Sequence, residues 1–143
     1  MPQFSLDWKP VLLSGTDTND SDQTFEVPAN TWYRPISVFV SYASTATAGN
    51  RQLEIQFRDT SDGIISRRVA SVTQAASLTY TYDWNVNNPD GLSLRDSTFL
   101  PQLLPYHYLP AGYDIRVFDN NAVAAAADDL TIRITVESYD IVP

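Results

Sequence analysis

Five segments of this chain alternate apolar and polar side chains with a period of two. Ile36, Val38, Val40 and Tyr42 are interleaved with Ser37, Phe39 and Ser41. Leu53, Ile55 and Phe57 are interleaved with Gln52, Glu54, Gln56 and Arg58. The same rhythm runs through Leu78, Tyr80, Tyr82 and Trp84, through Tyr113, Ile115 and Val117, and through Leu130, Ile132, Ile134 and Val136. Successive strand side chains point to opposite faces, so each segment reads as a strand with one face toward a core and one toward solvent. No comparable stretch carries a helical stripe of period 3.6.

Turn chemistry divides the runs. Ala48-Gly49-Asn50 reads as a hairpin after the first, and Asp59-Thr60-Ser61-Asp62-Gly63 separates the second from Ile64–Val72. Residues 36–72 therefore read as a three-strand antiparallel meander. Asn88-Pro89-Asp90-Gly91 is a strong turn, because Pro89 pre-sets φ at the first central position. Pro110-Ala111-Gly112 precedes the Tyr113 strand, and residues 120–129 form the last loop. Residues 22–27 make an earlier strand. Pro101 confines the apolar stretch 98–104 to an edge or a bend. The total of about eight strands at such spacing indicates an all-β sandwich or barrel.

The N-terminal end departs from this pattern. Phe4, Leu6 and Trp8 alternate, Lys9-Pro10 interrupts, and residues 15–22 are polar and acidic. Residues 1–21 read as a first strand or as an arm docked on a neighbouring subunit, with 22–143 as the sandwich domain. Apolar residues on such a segment need cover, since burying each one is worth roughly 1.5–3 kcal/mol.

Composition narrows the chemistry. The 143 residues contain no Cys and one His, and 17 acidic against 9 basic side chains give a net charge of −8. Without Cys there is no disulfide framework, Cys-zinc site or thiol nucleophile. One His cannot build a multi-histidine metal centre. The acidic balance argues against nucleic-acid binding, which requires a basic surface. No apolar run approaches the roughly 20 residues of a membrane helix, and the start lacks a secretory leader, which points to synthesis in a cytoplasm.

Candidate chemistry is sparse. His107, in Leu104-Pro105-Tyr106-His107-Tyr108-Leu109-Pro110, has no carboxylate or nucleophile beside it. The flanking tyrosines, each an apolar ring with a polar tip, favour a structural or interface role. Asp17, Asn19, Asp20 and Asp22 form an acidic loop, but Asp22 and Pro28 stand where an EF-hand loop needs Gly and Glu, so it reads as solvated. Asp59 with Asp62, and Asp128 with Asp129, are explained by turn preference. Arginine outnumbers lysine eight to one. Arg51, Arg58, Arg67, Arg68 and Arg116 lie on or beside strands, where bidentate pairing across subunits is one reading and composition bias the other.

The segments Thr31-Trp32-Tyr33-Arg34-Pro35-Ile36-Ser37-Val38, Gly49-Asn50-Arg51-Gln52-Leu53-Glu54-Ile55, Arg58-Asp59 through Gly63-Ile64-Ile65, and Leu109-Pro110-Ala111-Gly112-Tyr113-Asp114-Ile115 resemble small β-sandwich virion proteins of tailed bacteriophages. So does the closing Asp128-Asp129-Leu130-Thr131-Ile132. The likeness covers roughly residues 30 to 139 and consists of turn and strand signatures. It is nearest to jelly-roll capsid decoration or cement proteins. The resemblance implies a two-sheet antiparallel jelly roll, with an immunoglobulin-like sandwich second; the Cys…Trp…Cys spacing of the latter is missing. It implies a non-enzymatic protein on the capsid surface, with no cofactor, metal or catalytic residue. Its partners would be the major capsid protein and copies of itself, as a dimer or trimer, with neither nucleic acid nor membrane.

The contact residues expected on this reading are Phe4, Leu6, Trp8, Tyr106, His107 and Tyr108, the apolar groups lying outside the clean strand pattern. The alternative is a carbohydrate- or receptor-binding module of a tail or fibre, with Trp32, Tyr33, Tyr106 and Tyr108 as stacking surfaces. A hydrolase on a β-scaffold is the third reading; a cupin-type metal site would need several His.

Overall fold

The structure, a computed structural model, describes residues 7–17, 21–88 and 96–141. Among them are nine strands and no helix: β1 Lys9–Asp17, β2 Asp22–Glu26, β3 Thr31–Ala43, β4 Leu53–Arg58, β5 Ile64–Val69, β6 Thr79–Asn85, β7 Phe99–Leu103, β8 Asp114–Asp119 and β9 Asp129–Asp140. They form a five-stranded sheet in the order β1-β9-β3-β6-β7 and a four-stranded sheet in the order β2-β8-β4-β5.

The pairing identifies the architecture. β1 pairs with β9, β2 with β8, β3 with β6 and β4 with β5, each antiparallel. These are the nested ladders of one long hairpin rolled into a sandwich. The β3–β9 and β4–β8 ladders then close each sheet. The result is a jelly roll. β7 is an addition, a short edge strand parallel to β6. Pro101 lies within it, and an edge position tolerates its missing N–H.

Residues 36–72 are not a meander. β3 and β4 lie in different sheets, so 44–52 crosses from one sheet to the other and Ala48-Gly49-Asn50 is no hairpin turn. Each strand's alternation is satisfied by a core beneath it, whichever sheet supplies its neighbours. β4 and β5 do form a hairpin. Asp59 Oδ1 accepts the backbone N–H groups of Ser61 and Gly63 at 2.8 and 2.9 Å.

Between the sheets lie Val38, Val40, Tyr42, Tyr82, Trp84, Leu130, Ile132, Ile134 and Val136 from one side and Leu53, Ile55, Phe57, Ile115 and Val117 from the other. The alternating set is thus the core, with two changes. Leu78, just before β6, is exposed, because the strand begins only at Thr79. A bulge between Pro35 and Ser37 in the β3–β9 register shifts the parity of β3. Before it Tyr33 and Pro35 face inward; after it Val38, Val40 and Tyr42 do. Ile36 sits at the switch, only partly buried. A bulge inserts one extra residue and so re-aims every side chain beyond it.

Two sets of buried polar groups are tied into networks. Arg51 and Asp128 are both fully buried and paired, Nε to Oδ2 at 2.8 Å. Asp128 also accepts from Tyr42 Oη at 2.8 Å, Thr45 N at 2.8 Å and Thr45 Oγ1 at 2.9 Å. Arg51 Nη1 donates to the carbonyls of Thr47 and Gly49 at 2.9 and 2.8 Å. One ion pair therefore fastens the 44–52 crossover to the start of β9. Gln74 does the same for the approach to β6: its Nε2 donates to the carbonyls of Tyr42 and Leu78, each at 2.9 Å, and its Oε1 accepts from Tyr82 Oη at 3.0 Å.

Candidate protein-contact site

The bulge in β3 also builds the most distinctive surface of the molecule. With the parity shifted, Arg34 lies opposite Glu137, and Trp32 opposite Tyr139, on the outer face of the five-stranded sheet. Trp8, just before β1, packs against Tyr139 with ring centroids 5.6 Å apart. The segment after β7 arrives from the other side. Leu109 exchanges backbone hydrogen bonds with Tyr33 at 2.9 and 2.8 Å. That bridge sets Tyr108 beside Arg34.

The rings surround one guanidinium. Arg34 Cζ lies 5.4 Å from the Trp8 ring centroid, 5.8 Å from Tyr106 and 5.9 Å from Tyr108, within cation–π range. Its Nη1 donates to Tyr106 Oη at 3.0 Å, and it pairs with Glu137. The Tyr106 and Tyr108 hydroxyls are 3.0 Å apart, and their rings meet edge to face at 86°. The Tyr108 and Tyr106 hydroxyls hold the Arg34 guanidinium above its ordinary pKa. Hydrogen bonds from Tyr106 and then Arg34 pull the Tyr108 phenol below its own. Tyr106 is 56% exposed and Tyr108 45%. The corner is therefore an interlocked set of aromatic rings around one ion pair, still open to solvent.

Three of the six contact residues expected from sequence, Trp8, Tyr106 and Tyr108, thus lie together. His107 does not join them. In an extended segment its neighbours point one way and it points the other, where its ring meets Phe57 edge-on at 5.9 Å. Phe4 and Leu6 lie outside the described residues. Of the stacking set, Tyr33 is 6% exposed and belongs to the core, so it cannot present a face to a sugar. Sequence reading missed Arg34, Glu137 and Tyr139. The available signal was the break in parity between Tyr33-Arg34-Pro35 and Val38.

The arginines expected at subunit boundaries mostly find partners inside the chain. Arg58 is bidentate to Asp114 at 2.8 and 2.9 Å. Arg116 is bidentate to Asp22 at 2.8 and 2.6 Å and lies 3.9 Å over the Phe118 ring. Arg67 Nε meets Glu54 at 2.8 Å. These three pairs cover the outer face of the four-stranded sheet. Of the acidic loop at 17–22, residues 18–20 lie outside the described residues. Among the described residues no group of three or more His, Asp or Glu is arranged to hold a metal ion. No helix among them is long and apolar enough to cross a membrane.

No protein-family model matches the sequence, and a search of curated proteins finds no match. Solved structures of similar shape include that of infectious bursal disease virus Gx strain, at 9% identity over 93% of this chain and 41% of that one, with a TM-score of 0.35. The T13 particle of the same virus gives 11% identity over 100% and 44%, with a TM-score of 0.33. Its VP2 subviral particle gives 10% over 94% and 42%, with a TM-score of 0.34. The chain spans about two fifths of the length of each. At such values the likeness carries no argument; the jelly roll rests on strand order.

Proposed function

We propose that this chain is a non-enzymatic structural protein of a virion, binding the outside of a bacteriophage capsid and decorating or cementing the shell. The observation that carries the reading is the corner formed by Trp8, Arg34, Tyr106, Tyr108 and Tyr139. Aromatic residues and arginine are the groups enriched in protein–protein contacts and in their energetic centres. Here they are held in place by one another, so little side-chain freedom remains to be lost on docking. The turn and strand signatures between residues 30 and 139 supply the capsid as partner. Many copies, each making a moderate contact, would add up to a firm hold on a shell.

The test is quantitative mass spectrometry of purified particles of the phage that encodes the chain. A copy number comparable to that of the major shell protein supports decoration. A handful of copies places the protein in a tail or fibre and favours the carbohydrate- or receptor-binding reading; absence from particles refutes both. For shell binding itself, Tyr106→Ala with Tyr108→Ala should weaken attachment to undecorated capsids by about tenfold or more. Unchanged attachment by the folded variant removes the corner from the mechanism.

A further inference from the structure

Both outer faces of the sandwich pair charges within the chain, Arg34 with Glu137 on the five-stranded sheet, but that sheet also leaves two charges unmatched. On the four-stranded sheet Arg58, Arg67 and Arg116 each hold an acid of the same chain. On the five-stranded sheet Arg133 is exposed and Asp83 part-buried, and neither has an ionic partner among the described residues. Register explains why they do not meet. Phe39 of β3 lies opposite Arg133 of β9 on one side and opposite Asp83 of β6 on the other. The two charges are therefore two strand spacings apart, roughly 9.6 Å, with an aromatic ring between them. Phe39 is itself 41% exposed.

The next row on the same face has the same symmetry. Leu12 of β1, Thr135, Ser37, Asn85 and Leu103 of β7 lie in line across the sheet. Its two ends are leucines, 64% and 44% exposed, and its middle is polar. Both rows are centred on β3.

We infer that two copies of this chain pair face to face through the outer face of the five-stranded sheet, about a two-fold axis running along β3. That operation is an isologous contact, in which residue i meets j and j meets i. It sets Phe39 against its own copy and Arg133 against Asp83 of the second molecule, twice over. It sets Leu12 against Leu103 and Thr135 against Asn85. An axis across the strands would instead oppose Arg133 to Arg133 and Asp83 to Asp83, which like charges forbid. Burial already holds the Asp83 carboxyl above its ordinary pKa, and a facing guanidinium relieves that condition.

This inference stands independently of the capsid reading.

Sedimentation equilibrium of the purified chain and three variants tests it. The wild type should be a dimer. Arg133→Glu and Asp83→Lys should each weaken dimerisation by about tenfold or more, since each opposes like charges at two symmetric positions. The double reversal, Arg133→Glu with Asp83→Lys, should recover to within about threefold of wild type, because attraction is restored with the signs exchanged. Circular dichroism confirms that each variant is folded. A wild-type monomer at all concentrations overturns the inference. So does a trimer, which a two-fold contact cannot produce, and so does a double reversal no tighter than the single variants.

Discussion

Replacing Asp128 by Ala should be among the most damaging single changes available in this chain. The Asp128 carboxylate is fully buried and accepts hydrogen bonds from Arg51, Tyr42 and Thr45. Its removal leaves the Arg51 guanidinium buried without a counter-charge, and strands the Thr45 N–H and the Tyr42 hydroxyl. Breaking a buried pair by deleting one member costs roughly 3–5 kcal/mol. A domain of this size is stable by only about 5–15 kcal/mol. At about 3 °C per kcal/mol, the melting temperature should fall by roughly 9–15 °C. The assay is urea and thermal unfolding of the purified variant. Replacing both partners with apolar residues, Arg51→Met with Asp128→Leu, removes the stranded charge as well and should land nearer to wild type than Asp128→Ala does. Acid provides a second check. Burial alone would raise the Asp128 pKa, but the Arg51, Thr45 and Tyr42 hydrogen bonds outweigh it and hold the group below its ordinary value. A depressed native pKa gives stability that is complete above the unfolded value of ~3.9 and is lost as pH falls through the native one. The gap between wild type and Asp128→Ala should therefore narrow below about pH 4. A loss under about 1 kcal/mol at pH 7, or a gap that widens in acid, would refute the reasoning.

Other outcomes follow from single features. Gly112 has φ +83°, and a Cβ there would lie 3.0 Å from Thr60 Cγ2. Gly112→Ala should cost about 1–3 kcal/mol in urea unfolding, whereas a cost near zero would mean that the turn adapts. Trp84 is fully buried and its Nε1 has no hydrogen-bond partner. Trp84→Phe discards that orphan donor along with some volume, so it should cost far less than Trp84→Ala, for which about 3–5 kcal/mol is expected. Equal losses for the two would show that the indole N–H contributes. Trp8→Ala should shift the Arg34 side-chain resonances in an NMR spectrum while lowering stability by no more than about 2 kcal/mol, because Trp8 lies at the rim of the sheet. Unmoved Arg34 signals would mean that the ring and the cation are not in contact.

The sequence by itself determined that this chain is a β-sandwich and which side chains fill it. Alternation of period two marks a strand's buried face without reference to its neighbours, so Val38, Val40, Ile55, Tyr82, Ile115 and Ile132 were legible as core. Turn residues marked where strands stop, and Pro101 marked an edge, because both effects are local. Strand partnership is not local. A sequence does not state whether the residues after β3 turn back within its sheet or cross to the other, and the Ala48-Gly49-Asn50 crossover was decided by the packing that also buries Arg51 against Asp128. The candidate site followed the same division. Tyr106 and Tyr108 stood out in sequence as aromatics outside the strand rhythm, but His107 between them turned inward to Phe57. Arg34 became the centre of the corner only because a bulge reversed the parity of β3 and placed it opposite Glu137. Arg133 and Asp83, 50 residues apart in the chain, are related only through Phe39, whose two sheet neighbours are chosen by the tertiary fold.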